Sequence, residues 1–156
     1  MKWKTYYIAF LFFMIDLISK QIVSHVLVLN KSVLVIDNFF YLTYTKNSGA
    51  AWSILEDERL PLLMLTVIVI FVIYRNLKNV YLSNFEHFSY GMLIGGILGN
   101  FFDRLIYGSV IDFLNFYILG YNYPIFNFAD CFIVIGIILI IVINIRRDKK
   151  NERSYS

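Results

Sequence analysis

The chain has 156 residues, of which 59% are hydrophobic, 19% aromatic and only 16% charged, where soluble domains carry about 25% charge. Exchanging the 12 tyrosines for the 8 glycines, to match the usual apolar definition, keeps the apolar share above the ~50% of soluble domains. A soluble core of this size could not hide so much apolar surface, which argues for a lipid solvent and against disorder or fibrous repeats.

Net charge and cysteine content narrow the classes further. The balance of 14 basic against 11 acidic side chains gives +3, too little for a nucleic-acid footprint. The single cysteine, Cys131, excludes an intramolecular disulfide framework.

Four apolar stretches approach the roughly 20 residues that a bilayer span needs, at 6–29, 60–74, 85–107 and 126–145. The second is short and is expected to borrow residues from its flanks. The expected fold class is an all-α membrane protein of four transmembrane helices, one domain over 1–156. Lys2 and Lys4 lead into the first stretch as a signal peptide would, but no small-x-small cleavage site follows and the apolar pattern resumes after Lys20. Within this stretch Asp16 and Lys20 lie four residues apart, on one helix face, where they can neutralise each other. Such a pair either positions the helix or serves a site.

The connection after the first span is too long for a bare linker. Its segment 32–45 (SVLVIDNFFYLTYT) is rich in β-branched and aromatic residues with a plausible turn at Asp37-Asn38, so a small β-element on the membrane surface is expected there. The alternative is an aromatic interfacial loop. Arg75 and Lys78 follow the second span. Together with Lys2, Lys4, Arg146, Arg147, Lys149, Lys150 and Arg153 they put nine of the 14 basic residues on one side. The positive-inside rule then predicts cytoplasmic termini and two extracytoplasmic connections.

The third span carries Gly91, Gly95 and Gly99 at four-residue spacing, a stripe that lets another helix approach closely. Beside it, Gly96, Asn100, Asp103 and Arg104 fall within an arc of about 100°. A polar face therefore points into the bundle at the outer end of the helix. The next connection, 108–123, is mostly apolar and aromatic and is expected to hold a short interfacial helix or a half-embedded segment. It also brings a carboxylate, Asp112, between apolar neighbours.

The fourth span opens Phe126-Asn127-Phe128-Ala129-Asp130. Asn127 and Asp130 share a face at the positive end of the helix dipole. An N-terminal cap is the plain explanation, but a helix starting at Phe126 would carry Asp130 about 6 Å along its axis, late for a cap. Cys131, next to Asp130, is expected to be a small apolar filler.

Ionisable groups inside membrane segments are costly and mark functional sites by default. Asp103, Asp112 and Asp130 are expected at one depth near the outer surface, with Asn47, Asn100, Asn127 and Arg104 available as partners. Two carboxylates at hydrogen-bonding distance share a proton, so one can act as base toward water and the other as acid toward a carbonyl, the chemistry of aspartic amide hydrolysis. His25 and His87 belong to opposite sides and no HExxH motif occurs, so neither a metal nor another cofactor is expected. The rival is a small proton-coupled transporter, whose acids belong near the bilayer midplane, often in repeated halves. No internal repeat is visible. A scaffold subunit would tolerate replacement of Asp112 or Asp130.

Five motifs in order carry a family resemblance: Asp16-Leu-Ile-Ser-Lys20, Asn47-Ser-Gly-Ala-Ala-Trp52, Gly95-Gly-Ile-Leu-Gly-Asn100 continuing to Asp103-Arg104, Val110-Ile-Asp112-Phe113, and Phe126-Asn-Phe-Ala-Asp130. Along nearly its whole length the chain resembles the lipoprotein signal peptidases, bacterial signal peptidase II. The resemblance implies a four-helix membrane aspartyl peptidase with an extracytoplasmic β-cradle from the first outer loop. Its implied substrate is a prolipoprotein carrying diacylglycerol on the lipobox cysteine, cut just before that cysteine. By motif match, Asp112 and Asp130 are the catalytic pair. Asn47, Asn100, Arg104 and Asn127 are implied to line the site, with Asp16, Lys20 and Asp103 as supports. Cys131 stands where serine is common in the family.

Overall fold

The structure, a computed structural model, describes the backbone of residues 2–49, 58–78 and 82–155, and side chains up to residue 147 within these segments. The Ala50-Ala51-Trp52 end of the second motif and the Lys149, Lys150 and Arg153 side chains of the basic tail therefore lie outside the described residues.

All four expected helices are present: α1 (Trp3–Val26), α2 (Arg59–Leu77), α3 (Asn84–Tyr107) and α4 (Phe128–Tyr155). α2 extends beyond its apolar stretch at both ends, and α4 runs on through the basic tail. Three helical segments, Trp3–Val26, Arg59–Leu77 and Phe128–Arg147, are long and apolar enough to cross a membrane. α3 is equally long but less apolar, because it is the central helix and its inward faces carry Glu86, His87, Ser89, Asn100 and Asp103, all buried.

The burial pattern is the reverse of a soluble bundle. The largest fully enclosed side chains are polar, Lys20, Asn127, Thr5, Asp16, Asp103 and Ser89, while Phe10, Ile22, Ile68 and Phe71 are more than half exposed. Apolar side chains facing outward gain their stabilisation in lipid, and polar groups that lipid cannot hydrate are satisfied inside.

α1 and α3 run parallel. Thr5 Oγ1 and His87 Nδ1 hydrogen-bond at 2.7 Å near one end, and Gln21 donates to Tyr107 Oη at 3.0 Å near the other. The glycine stripe faces α1: a Cβ on Gly91 would meet Ile8, and one on Gly95 would fall 2.6 Å from the Ala9 carbonyl. Gly96 turns instead to α4 and the Ala129 carbonyl. α4 is antiparallel to α3, with Arg147 paired to Glu86 at the end remote from Asn100. α2 is peripheral, burying only Leu62 and Leu77.

A four-stranded antiparallel sheet covers the end where α1 and α3 finish and α4 begins, in the order β1 (Ser32–Ile36), β2 (Phe40–Asn47), β3 (Val110–Ile118), β4 (Tyr121–Asn122). β1 and β2 form the expected hairpin, with Asn38 at a positive φ of 54° in its turn. The second connection departs from expectation. Residues 110–118 form a strand paired with β2, not a short helix, and the sheet draws on both loops. The sequence VIDFLNFYI suits a pleated surface better than a helix, and Gly120, at φ +79°, allows the chain to return as β4.

β3 is anchored by the main apolar cluster. Ile111, Phe113 and Leu114 pack with Val23 of α1, backed by Phe40, Phe116, Phe126 and Phe128. Phe40 and Phe116 stack with centroids 4.5 Å apart. This packing presses residues 110–115, Asp112 among them, into the interior.

Candidate active site

Gly108 ends α3 in a left-handed conformation, φ +77°, which a side chain other than glycine would strain. Two residues later β3 begins, and Asp112 comes back over the polar face of α3. Thr45 opposes Asp112 in the register, and Asn47 closes the ladder opposite Val110. Asn47 Nδ2 donates to Asp112 Oδ2 at 3.0 Å. Its own Oδ1 accepts from Gly49 N at 3.0 Å, an Asx turn that holds the amide in place.

At the start of α4, Asn127 and Asp130 cap reciprocally. Asn127 N donates to Asp130 Oδ2 at 3.1 Å, and Asp130 N donates to Asn127 Oδ1 at 3.0 Å. The distance argument against a cap fails because the helix begins at Phe128, not Phe126, which makes Asp130 the third helical residue of a capping box. Asp16 completes the cap by accepting from Ala129 N at 2.8 Å.

These elements bring two carboxylates into one amide network. Asn127 Nδ2 donates to Asp112 Oδ1 at 2.6 Å and to Asn100 Oδ1 at 3.1 Å, while Asn100 Nδ2 donates to Asp130 Oδ1 at 2.7 Å. Each of the four carboxylate oxygens thus receives one donor. Asp112 is buried and Asp130 half-buried. Burial, and then the neighbouring Asp130 carboxylate, push Asp112 up to about 7, against the opposing hydrogen bonds from Asn47 and Asn127.

Both aspartates line a cavity of about 390 Å³, together with Asn47, Asn100 and Arg104 and an apolar wall that includes Phe126, Ile133 and Val134. Arg104 Nη2 donates to the Gly49 carbonyl at 2.9 Å, tying the residues after β2 to α3. The cavity therefore joins a floor of two amide-bridged carboxylates to an apolar wall.

Asp103 separates from the other acids. Its carboxylate accepts from Ile111 N at 3.2 Å and pairs with Lys20 at 3.0 Å, and it does not line the cavity. Lys20 pairs also with Asp16 at 2.7 Å. The Asp16–Lys20 pair is thus present, extended to a triad by Asp103. Cys131 packs against the apolar cluster. His87 lies near the far end with Thr5, and His25 near the end of α1 bonded to the Gln21 carbonyl. Among the described residues, no group of three or more His, Cys, Asp or Glu side chains is arranged to hold a metal. Missed from the sequence were the apolar wall and the Gly49 backbone. The Asn-x-Gly spacing at 47–49 was the available signal for the latter.

A family model described as Signal peptidase (SPase) II matches residues 8–146. Among solved structures, one described as a bacterial membrane enzyme determined by the in meso method at 2.3 Å is 34% identical, with a TM-score of 0.83 over 94% of this chain and 90% of that one. A second with the same description at 1.9 Å is 35% identical, with a TM-score of 0.78 over 88% of this chain and 90% of the other.

Proposed function

The chain belongs to the signal peptidase II family of peptidases, and on that premise we propose that it is an aspartyl endopeptidase. It releases the signal peptide from diacylglyceryl-modified prolipoproteins by cutting the amide bond before the lipidated cysteine. It works as one domain in the bacterial cytoplasmic (inner) membrane as a multi-pass protein, with both termini cytoplasmic and the site near the extracytoplasmic face. Its partners are the lipidated precursor and membrane lipid.

One observation carries this: Asp112 and Asp130 line the same cavity and are joined through Asn127 and Asn100. Asp130, held at a helix N-terminus where negative charge is favoured, is the ionised base. It takes a proton from water, whose oxygen attacks the scissile carbonyl carbon. Asp112, kept protonated by burial and by its neighbour, gives its proton to the carbonyl oxygen. On collapse Asp130 delivers its proton to the cysteine nitrogen, the C–N bond breaks, and Asp112 recovers its proton from the intermediate. The products are a signal peptide with a free carboxylate and a lipidated cysteine with a free amine.

Asn47, Asn100, Asn127 and Arg104 orient the aspartates and substrate. The apolar wall at Phe126, Ile133 and Val134 suits an acyl chain reaching the site from the outer leaflet. Purified chain in detergent should convert a diacylglyceryl prolipoprotein to signal peptide and lipidated product, and should cleave the unmodified precursor far more slowly. Equal rates on both precursors would remove the lipid from recognition. No cleavage of either would remove the peptidase assignment.

A further inference from the structure

Lys20 touches neither carboxylate of the pair and is fully enclosed, yet its ammonium reaches three acceptors. These are Asp16 Oδ2 at 2.7 Å, Asp103 Oδ2 at 3.0 Å and Asn100 Oδ1 at 2.9 Å. Two carboxylates already compensate its charge, so ion pairing alone does not account for the third contact. An ammonium can only donate, whereas an amide can present either end. The contact from Lys20, joined by the longer one from Asn127 Nδ2 to the same oxygen at 3.1 Å, holds the Asn100 oxygen toward α1 and turns the Asn100 nitrogen toward Asp130, to which it donates at 2.7 Å. Were the amide reversed, its oxygen would face a carboxylate oxygen and its nitrogen an ammonium.

We infer that Lys20 is a positioning residue of the site, which acts through the Asn100 amide to keep Asp130 the ionised member of the pair. The inference rests on the dyad assignment above. The other two site amides are oriented by backbone donors, Asn127 by Asp130 N and Asn47 by Gly49 N, whereas the Asn100 oxygen is held by side chains, the Lys20 ammonium at 2.9 Å and the neutral Asn127 amide at 3.1 Å. Charged or titratable groups reach the surroundings of Asp130 from every packed element: Asp16 and Lys20 from α1, Asp103 and Arg104 from α3, Asp112 from β3, and Cys131 from α4 itself.

The test is the pH dependence of kcat/KM on a lipidated precursor, with full-length protein in detergent. The double variant Lys20→Met/Asp103→Asn removes the donor to Asn100 while one cation and one anion leave together, so the net charge of the triad is unchanged. Its acid limb should move up by about one pH unit, and adding Asn100→Ala should move it no further than Asn100→Ala alone. A slower or less stable enzyme with an unmoved limb, or shifts that add in the triple variant, would overturn the inference. Should the double variant not fold, Asp103→Asn alone keeps Lys20 and concentrates it on Asn100. The acid limb should then move down, and less so in an Asn100→Ala background. No movement, or equal movement in both backgrounds, also overturns it. Asp112→Asn and Asp130→Asn run alongside: activity in either defeats the dyad assignment itself, whereas an inert pair with an unmoved Lys20 limb defeats only the role of Lys20.

Discussion

Asn127 and Asp130 cap one helix reciprocally, each backbone N–H donating to the other's side chain at 3.1 and 3.0 Å. The same two side chains also contact the rest of the amide network, Asn127 donating to Asp112 and Asp130 accepting from Asn100. The start of α4 is thus held by the groups proposed to run the chemistry, and a change at either affects both stability and turnover.

Asp112→Asn and Asp130→Asn should each lower kcat by at least the roughly 10² to 10⁴ expected of general acid–base groups. The double variant should be little worse than either single one, because members of a catalytic unit are non-additive. Single-turnover cleavage by purified variants measures this. Robust turnover by either single variant would send the search to Asp103, whose own Asp103→Asn change should reduce activity or stability only partly.

Turnover should follow a bell-shaped pH profile whose two limbs belong to the pair. Because Asp112 acts in its protonated form and is raised to about 7, the alkaline limb should lie near pH 7. Stability should follow the same group. A carboxyl raised in the folded state holds its proton where the unfolded chain has lost it, so its contribution is complete below about pH 4 and fades as pH rises through about 7. Asp112→Asn should flatten the fall in melting temperature over that window. An unchanged slope would refute the burial argument for Asp112.

Cys131→Ser and Cys131→Ala should keep most activity, and chelators should have little effect, since the thiol packs with the apolar cluster. Loss of turnover in a folded variant would count against aspartyl chemistry.

Gly96→Ala should lower both melting temperature and activity. The added Cβ would stand 2.5 Å from the Ala129 carbonyl, a backbone atom in the turn that carries Asp130, so α4 must shift. Overpacking of this kind costs about 1 to 3 kcal/mol. A variant as stable and active as the parent would mean that this helix contact yields freely.

Cysteines introduced at Lys31 and Asn122, both exposed, in a Cys131→Ser background should react with an impermeant reagent on intact cells. Labelling only after lysis would reverse the proposed topology.

The sequence by itself determined the helices, the close approach along Gly91, Gly95 and Gly99, the Asp16–Lys20 pair and the β-element at residues 32–45. Each of these is set by periodicity or by neighbours a few residues apart, where propensity and helix geometry act directly. The family motifs added the pairing of Asp112 with Asp130, which no local pattern could supply. The tertiary structure decided the rest. Residues 110–118 became a strand because β2, more than sixty residues earlier, offered an unpaired edge. Asp103 left the other acids because Lys20 and the Ile111 N–H claim its carboxylate. The start of α4 gained a further partner in Asp16, from the other end of the chain, which accepts from Ala129 N beside the local Asn127–Asp130 cap. Buried polar groups take whichever partners the packed fold brings within about 3 Å, and chain spacing alone does not say which these are.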